Sequence, residues 1–304
     1  MSRAVEASIR WSDAQTGRHR LADPAKVRSS NTGSPDGDDN VALDIDALLR
    51  AQFDLSGRAV VITGAGSGLG QRAAEVLAGA GAAVVLLGRR PDALERTAAS
   101  VHEAGGRACV VPTDVTDPAA FARALDTARD AFGRPWMLVN NAGVSGGRRQ
   151  LLDVDPGLFD TVMGTNLRAA FFAATEFARR LVAEQAPGRI VNICSLSSEV
   201  NVQNLGVYGA SKAALEHMTR TMAHEWAVHG INVNAINPGY ILTDLNRAVF
   251  TSPAGQAVVD TLLRRRIGEP SALDGALLLL ASPVNEAMTG ATLSIHDGQK
   301  FTAR

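Results

Sequence analysis

Two cysteines in 304 residues are too few for a disulfide framework. Cys109 and Cys194 both sit inside apolar runs and read as buried thiols of a reducing, cytoplasmic compartment. An excess of one charge is also missing. The formal net charge is -1, so there is no electrostatic case for binding nucleic acid or an anionic membrane. No apolar run reaches the roughly 18 residues that a membrane span needs. The opening stretch, Met1 to Trp11, has no hydrophobic signal core, so a secretory signal is not expected. Of the six histidines, His217, His224 and His229 fall in and just after one helical segment, but no two share the four-residue spacing of a helical zinc pair. No metal site is expected. What remains is a chain with 46% hydrophobic residues, long enough for a large core.

Residues 1–45 stand apart. They mix Arg, Asp, Ser and Gly, and the run Arg28 to Asp39 has almost nothing to bury, so they read as a disordered or loosely attached tail. Glu6 and Asp13 spoil an Arg-rich transit pattern, and a mis-assigned start codon is an alternative account of the tail. Residues 46–304 read as one compact domain. Short apolar runs at 58–63, 83–88, 107–112, 136–140, 189–194, 231–236 and 291–295 alternate with helical patterns. Runs that are continuously apolar suit a parallel sheet covered on both faces. The predicted fold is α/β, a Rossmann-like doubly wound parallel sheet in a single domain.

The first turn reads Thr63-Gly-Ala-Gly-Ser-Gly-Leu-Gly70, after a strand and at the head of a helix. Glycines there let a pyrophosphate approach the backbone, and the helix N-terminus adds unpaired N–H groups and a positive dipole end. The dinucleotide-binding candidates are Gly64, Ser67, Gly68, Leu69 and Gly70. The second strand ends at Gly88, where a ribose-binding carboxylate is expected, and Arg89 and Arg90 follow. An arginine holds a 2′-phosphate that a carboxylate would repel, so NADP(H) is favoured over NAD(H), with Arg89 as the selector. Further on, Tyr208 and Lys212 lie four residues apart at the head of a long helical segment and share one face. A free phenol is a poor acid–base group at neutral pH, and a neighbouring cation favours its phenolate.

These features, with Asn140-Asn-Ala-Gly143 and Ser195, stand in an order that resembles the short-chain dehydrogenase/reductase family in its single-domain form. The resemblance covers roughly residues 53–298 and is nearest to ketoacyl-carrier reductases and gluconate-type sugar dehydrogenases. It implies that Tyr208 is the general acid or base at a carbonyl oxygen, that Ser195 polarises the same oxygen, and that Lys212 favours the phenolate and binds the nicotinamide ribose. It implies that Asn166 kinks a helix and holds a water linking Lys212 to solvent. Asp114 and Val115 would contact adenine, and Asn141, Ala142 and Gly143 would pack beside the adenosine ribose. Pro238, Gly239, Ile241 and Thr243 belong to a segment that would touch the nicotinamide, as Tyr208 and Lys212 also would. A homotetramer, or a dimer, packed through the helices before Arg189 and after Tyr208 is implied as well. One departure is Asp297-Gly-Gln299 where the family usually has Asp-Gly-Gly; it touches no proposed catalytic group.

The expected activity is therefore NADP(H)-dependent interconversion of a secondary alcohol and a ketone, on a small-molecule substrate. The alternatives are a catalytically silent NADP(H) sensor or scaffold, which would usually lack one of the four catalytic residues, and a sugar-nucleotide epimerase, which would want a longer C-terminal lobe. Substrate choice is expected to lie in Ser145–Leu152, in the segment after Ser195, and in a lid-like stretch Asp244–Arg266. Arg148 and Arg149 could meet an acidic substrate, whereas Cys194 and the run Arg264-Arg-Arg266 read as packing and a solvated helix end.

Overall fold

The computed structural model describes residues 44–243 and 246–301. The tail expectation for 1–43 lies outside the described residues. Asp44 and Ile45 are described: Asp44 caps helix α1 (Ile45–Phe53) by accepting the Ala47 N–H at 3.0 Å.

Seven parallel strands make the sheet: β1 (Ala59–Thr63), β2 (Ala83–Gly88), β3 (Arg107–Pro112), β4 (Pro135–Asn140), β5 (Gly188–Ile193), β6 (Ile231–Pro238) and β7 (Thr292–Ile295). Their order is β3-β2-β1-β4-β5-β6-β7. The chain builds outward from β1 to β3, then returns to lay β4 on the other side of β1. Ligands of open α/β sheets bind at such a reversal, beyond the carboxyl ends of the strands.

The crossovers are α2 (Gly68–Gly79), α3 (Pro91–Glu103), α4 (Pro118–Phe132), α5 (Pro156–Met163) continuing into α6 (Ala170–Ala183), α7 (Gly206–Trp226), and the later α8 (Arg247–Phe250), α9 (Pro253–Thr261) and α10 (Asp274–Ala281). Several starts are dictated locally. Asp117 accepts the Ala119 N–H and Asp155 the Leu158 N–H, each at 2.8 Å and each just before a proline whose fixed φ suits the first helical turn.

Strand alternation divides the core in two. Val60, Ile62, Val84, Leu86, Met137 and Val139 face the layer of α2, α3 and α10. Val61, Val85, Leu87, Leu138 and Ile190 face the layer of α4, α6 and α7. With both faces covered, the strands have no polar side to show, and this is the doubly wound sheet that the apolar runs predict. The stretch expected to form a lid holds the short helices α8 and α9, and its first two residues, 244 and 245, lie outside the described residues.

Phe121 of α4 is 1% exposed and is not itself a candidate site residue. Phe121→Ala is expected to lower stability by about 3–5 kcal/mol. Denaturant titration checks this; a midpoint that does not move would mean that α4 is not part of the cooperative core.

Candidate active site

The glycine turn after β1 is shaped by close approaches. Gly64 and Gly68 have φ of +66° and +56°, in the left-handed region. A Cβ on Gly70 would stand 2.2 Å from the Gly64 carbonyl oxygen and 2.5 Å from Asn141 Nδ2. Asn141 donates from Nδ2 to the carbonyls of Thr63 and Gly64, at 3.0 and 3.1 Å. The Thr63 hydroxyl accepts the N–H groups of Asn141 and Ala142, at 2.9 and 3.0 Å, and donates to the Val139 carbonyl. The loops after β1 and β4 are thus stitched together where the strand order reverses. Ser67 precedes α2 with extended backbone and makes no side-chain cap, so no side chain of its own competes for the N–H groups of that turn. A Cβ on Gly68 would lie 3.2 Å from the Thr243 methyl, so the segment after β6 closes the same turn from the other side.

At the end of β2, Arg89 and Arg90 are both exposed. Arg90 donates to the Ser67 hydroxyl at 3.3 Å, which turns this arginine toward the glycine loop. Asp114 follows β3 and accepts the N–H and hydroxyl of Thr116 at 3.0 and 2.7 Å. Those bonds lower its carboxyl below the ordinary value, burial opposes them, and the charge of Arg89 adds to the lowering. Arg89 therefore stands on the Asp114 side and Arg90 on the loop side. Val115 is half-buried beside Asp114.

Several catalytic candidates surround or adjoin a buried ammonium in the chain. Lys212 is 4% exposed, and its Nζ donates to the Ile193 carbonyl at the end of β5, at 2.8 Å. Ser195 is two residues beyond that carbonyl. Tyr208 lies one turn before Lys212 on α7, with the ammonium 6.0 Å from its ring centre. A Cβ on Gly209 would touch the Ser197 carbonyl at 3.1 Å, so the serine loop lies against the start of α7. Asn166 is fully buried in a wide, π-type turn, Gly164–Ala169, that joins α5 to α6. Its side chain exchanges two hydrogen bonds with the Val144 backbone, at 2.8 and 2.9 Å, and donates to Ser211 at 3.0 Å. Ser211 in turn donates to the Tyr208 carbonyl at 2.7 Å. A Cβ on Gly143 would stand 3.2 Å from Asn166 Oδ1 and 3.3 Å from Lys212 Nζ, a tight fit that a glycine relieves where β4's loop approaches the lysine.

Sequence reasoning missed the polar framework behind Ser195. Asn237, fully buried near the end of β6, accepts the Ser195 N–H at 3.2 Å. Its Nδ2 donates to Glu199 and to Glu216, both at 2.9 Å. Glu199 also accepts from the Ser294 hydroxyl and from Lys300 at 2.9 Å. Gln299 accepts the Tyr240 N–H at 2.7 Å, inside the segment that the resemblance sets at the nicotinamide. The one signal in the sequence was Asn237 directly before the Pro238-Gly239 pair. Cys194 is inert by contrast: burial pushes its thiol up to about 12. Among the described residues no group of three His, Cys, Asp or Glu side chains could hold a metal. The run Arg264-Arg-Arg266 is exposed, and Arg264 and Arg266 both pair with Asp297, at 3.1 and 2.7 Å.

The Glu199 carboxyl is held at about 2, below its usual 4.5. Burial is the largest single influence and raises it, but the bonds from Lys300, Ser294 and Asn237 together outweigh burial. A value lowered by folding means stability that is fully present above the unfolded value and is lost as pH falls through the folded one. Lys300→Met is therefore expected to melt below the wild type at pH 7, with the two melting temperatures converging as the pH falls from about 4.5 toward 2. A gap that stays constant across that range would contradict the ion pair.

Known proteins match most of the chain. The short chain dehydrogenase family model matches residues 58–254. Galactitol 2-dehydrogenase (L-tagatose-forming) of Cereibacter sphaeroides is 36% identical over 82% of this chain and 97% of its own. Gluconate 5-dehydrogenase of Gluconobacter oxydans is 33% identical over 81% of this chain and 96% of its own. A crystal structure from Agrobacterium tumefaciens with bound NADP superposes with a TM-score of 0.75 at 36% identity, covering 82% of this chain and 98% of that one. The chain belongs to the short-chain dehydrogenase family and is an oxidoreductase of the NAD(P)-dependent kind that acts on alcohol and keto groups.

Proposed function

We propose that the protein interconverts a secondary alcohol and a ketone with NADP(H), using Tyr208 as the general acid and base. The observation that carries this reading is the buried Lys212 ammonium, fixed on the Ile193 carbonyl with Tyr208 one turn before it and Ser195 two residues past that carbonyl. The glycine cradle at Gly64, Gly68 and Gly70 and the start of α2, which no side chain caps, fit a dinucleotide. Asp114, Val115, Asn141, Ala142 and Gly143 would line its adenosine half. Pro238, Gly239, Ile241 and Thr243 would line the nicotinamide. When bound, the cofactor supplies or accepts a hydride.

The chain's own residues manage the oxygen. In the reducing direction Tyr208 donates its phenolic proton to the carbonyl oxygen, and the Ser195 hydroxyl donates a hydrogen bond to the same atom. In the oxidising direction the phenolate takes the proton back. An ammonium has three donors. One of Lys212's is directed to Ile193, and its charge favours the phenolate. Asn166, tied to Val144 and Ser211, holds the region between Lys212 and the β4 loop for proton relay.

Arg89 and Arg90 support NADP(H) over NAD(H), since both are exposed where the adenosine half would lie and Arg90 reaches the glycine loop. The free thiols Cys109 and Cys194 support a reducing, cytoplasmic setting. Phe159 and Phe172, 47% and 39% exposed on α5 and α6, support a homo-oligomer packed through those helices and α7.

Removing the Tyr208 hydroxyl tests the mechanism. Tyr208→Phe is expected to lose roughly 100-fold to 10,000-fold in NADPH oxidation with a ketone, while still binding NADPH. Near-normal turnover would overturn the assignment. Arg89→Ala is expected to weaken NADPH binding by roughly 1.5–3 kcal/mol and leave NADH binding unchanged. An equal loss for both cofactors would remove Arg89 as the selector.

A further inference from the structure

We infer that Gln299 is a positioning residue for the nicotinamide end of the site, acting through the backbone of Tyr240. The inference rests on the proposed contact between the 238–243 segment and the nicotinamide.

That segment leaves β6 and must keep one backbone path to meet a flat ring reproducibly. Its anchors come from several places. Gly239 donates its N–H to the Ile295 carbonyl at 2.9 Å, and Leu242 donates to the Gly268 carbonyl at 2.7 Å. Asn246 accepts the Thr243 N–H and donates to the Ile241 carbonyl, both at 2.8 Å. The Tyr240 N–H goes instead to a side chain, the Gln299 amide oxygen, at 2.7 Å. A backbone donor left without a partner in such a place costs about as much as a lost hydrogen bond.

Gln299 is built in rather than draped over the surface. It is 6% exposed. Its own N–H donates to the His296 carbonyl at 2.8 Å, closing a turn through Asp297 and Gly298, which have φ of +53° and +76°. Asp297 is held from outside that turn by Arg264 and Arg266. The next residue, Lys300, is paired with Glu199, which also accepts from Asn237, the residue that receives the Ser195 N–H. Gln299 and Gly239 are also matched in volume: a Cβ on Gly239 would stand 2.2 Å from the Gln299 amide oxygen. The glycine more usual at this position of the family pattern offers no side-chain acceptor. This chain adds one and aims it at the segment that closes over the glycine loop at Gly68 and Thr243.

A merely structural role would affect all ligands alike, whereas this one is confined to the nicotinamide end. The test compares NADPH with 2′-phospho-ADP-ribose, which carries the same adenosine half and lacks the nicotinamide, by calorimetric titration of the full chain. NADH and ADP-ribose are run in parallel. Two variants are used: Gln299→Met, close in length but with no acceptor, and Gln299→Gly. Both are expected to weaken the nicotinamide cofactor about tenfold and to leave the nicotinamide-free ligand within about twofold. Unchanged cofactor binding in both variants, or a loss shared equally by the two ligands, overturns the inference. A wild-type protein that binds the nicotinamide-free ligands as tightly as NADPH and NADH overturns the underlying reading of the 238–243 segment, and the inference with it.

Discussion

A buried positive charge organises this site. Lys212 is almost wholly removed from water, and an ammonium in that position needs fixed acceptors around it. The carbonyl at the end of β5 supplies one. Gly143 lets the β4 loop come close without a tight side-chain contact, and Asn166 holds that loop by pairing with the Val144 backbone. The π-type turn that carries Asn166 widens the α5–α6 helix at the place where its side chain faces Val144 and Ser211. Strand order, helix irregularity and glycine placement can thus all be read as conditions for keeping one lysine at the carboxyl end of the sheet. The phenol of Tyr208 is placed by the same helix, one turn away.

A second layer of polar contacts holds what the lysine does not reach. Asn237 links the Ser195 backbone to Glu199 and Glu216, and Glu216 pairs with Arg220 one turn further along α7. The serine loop, α7, β6 and the C-terminal turn are coupled through one buried amide. The oxygen and nitrogen of that amide both have partners, so its burial leaves no donor or acceptor group unmet.

Much of this architecture is legible in the order of residues. The strands stand out because a sheet covered on both faces turns each strand into a short apolar run, and all seven predicted runs overlap observed strands. The glycine loop and the Tyr208–Lys212 pair are legible because their geometry is local, set within one turn or one helix. What stays hidden is what depends on distant partners. Gln299 meets Tyr240 across 59 positions, and Glu199 meets Lys300 across 101. Gln299 stands out in the sequence only as a departure from the family's Asp-Gly-Gly, with nothing to show its partner, and Glu199, after a serine run, reads as a surface residue. Likewise, the sequence does not show which way Arg89 and Arg90 turn. The path of the chain off β2 decides that Arg90 reaches Ser67 while Arg89 stands near Asp114.

The most direct measurement follows the hydride itself. The protein would be incubated with NADPH deuterated at both C4 positions and a panel of ketones, beginning with keto forms of sugar alcohols and sugar acids. A β-ketoacyl thioester, a cyclic ketone and a steroid ketone would complete the panel, with products read by mass spectrometry. The account predicts one class of alcohol carrying deuterium on its carbinol carbon. NADPH bound tightly, with no deuterium in any product, would contradict it and leave a protein that holds the cofactor without using it.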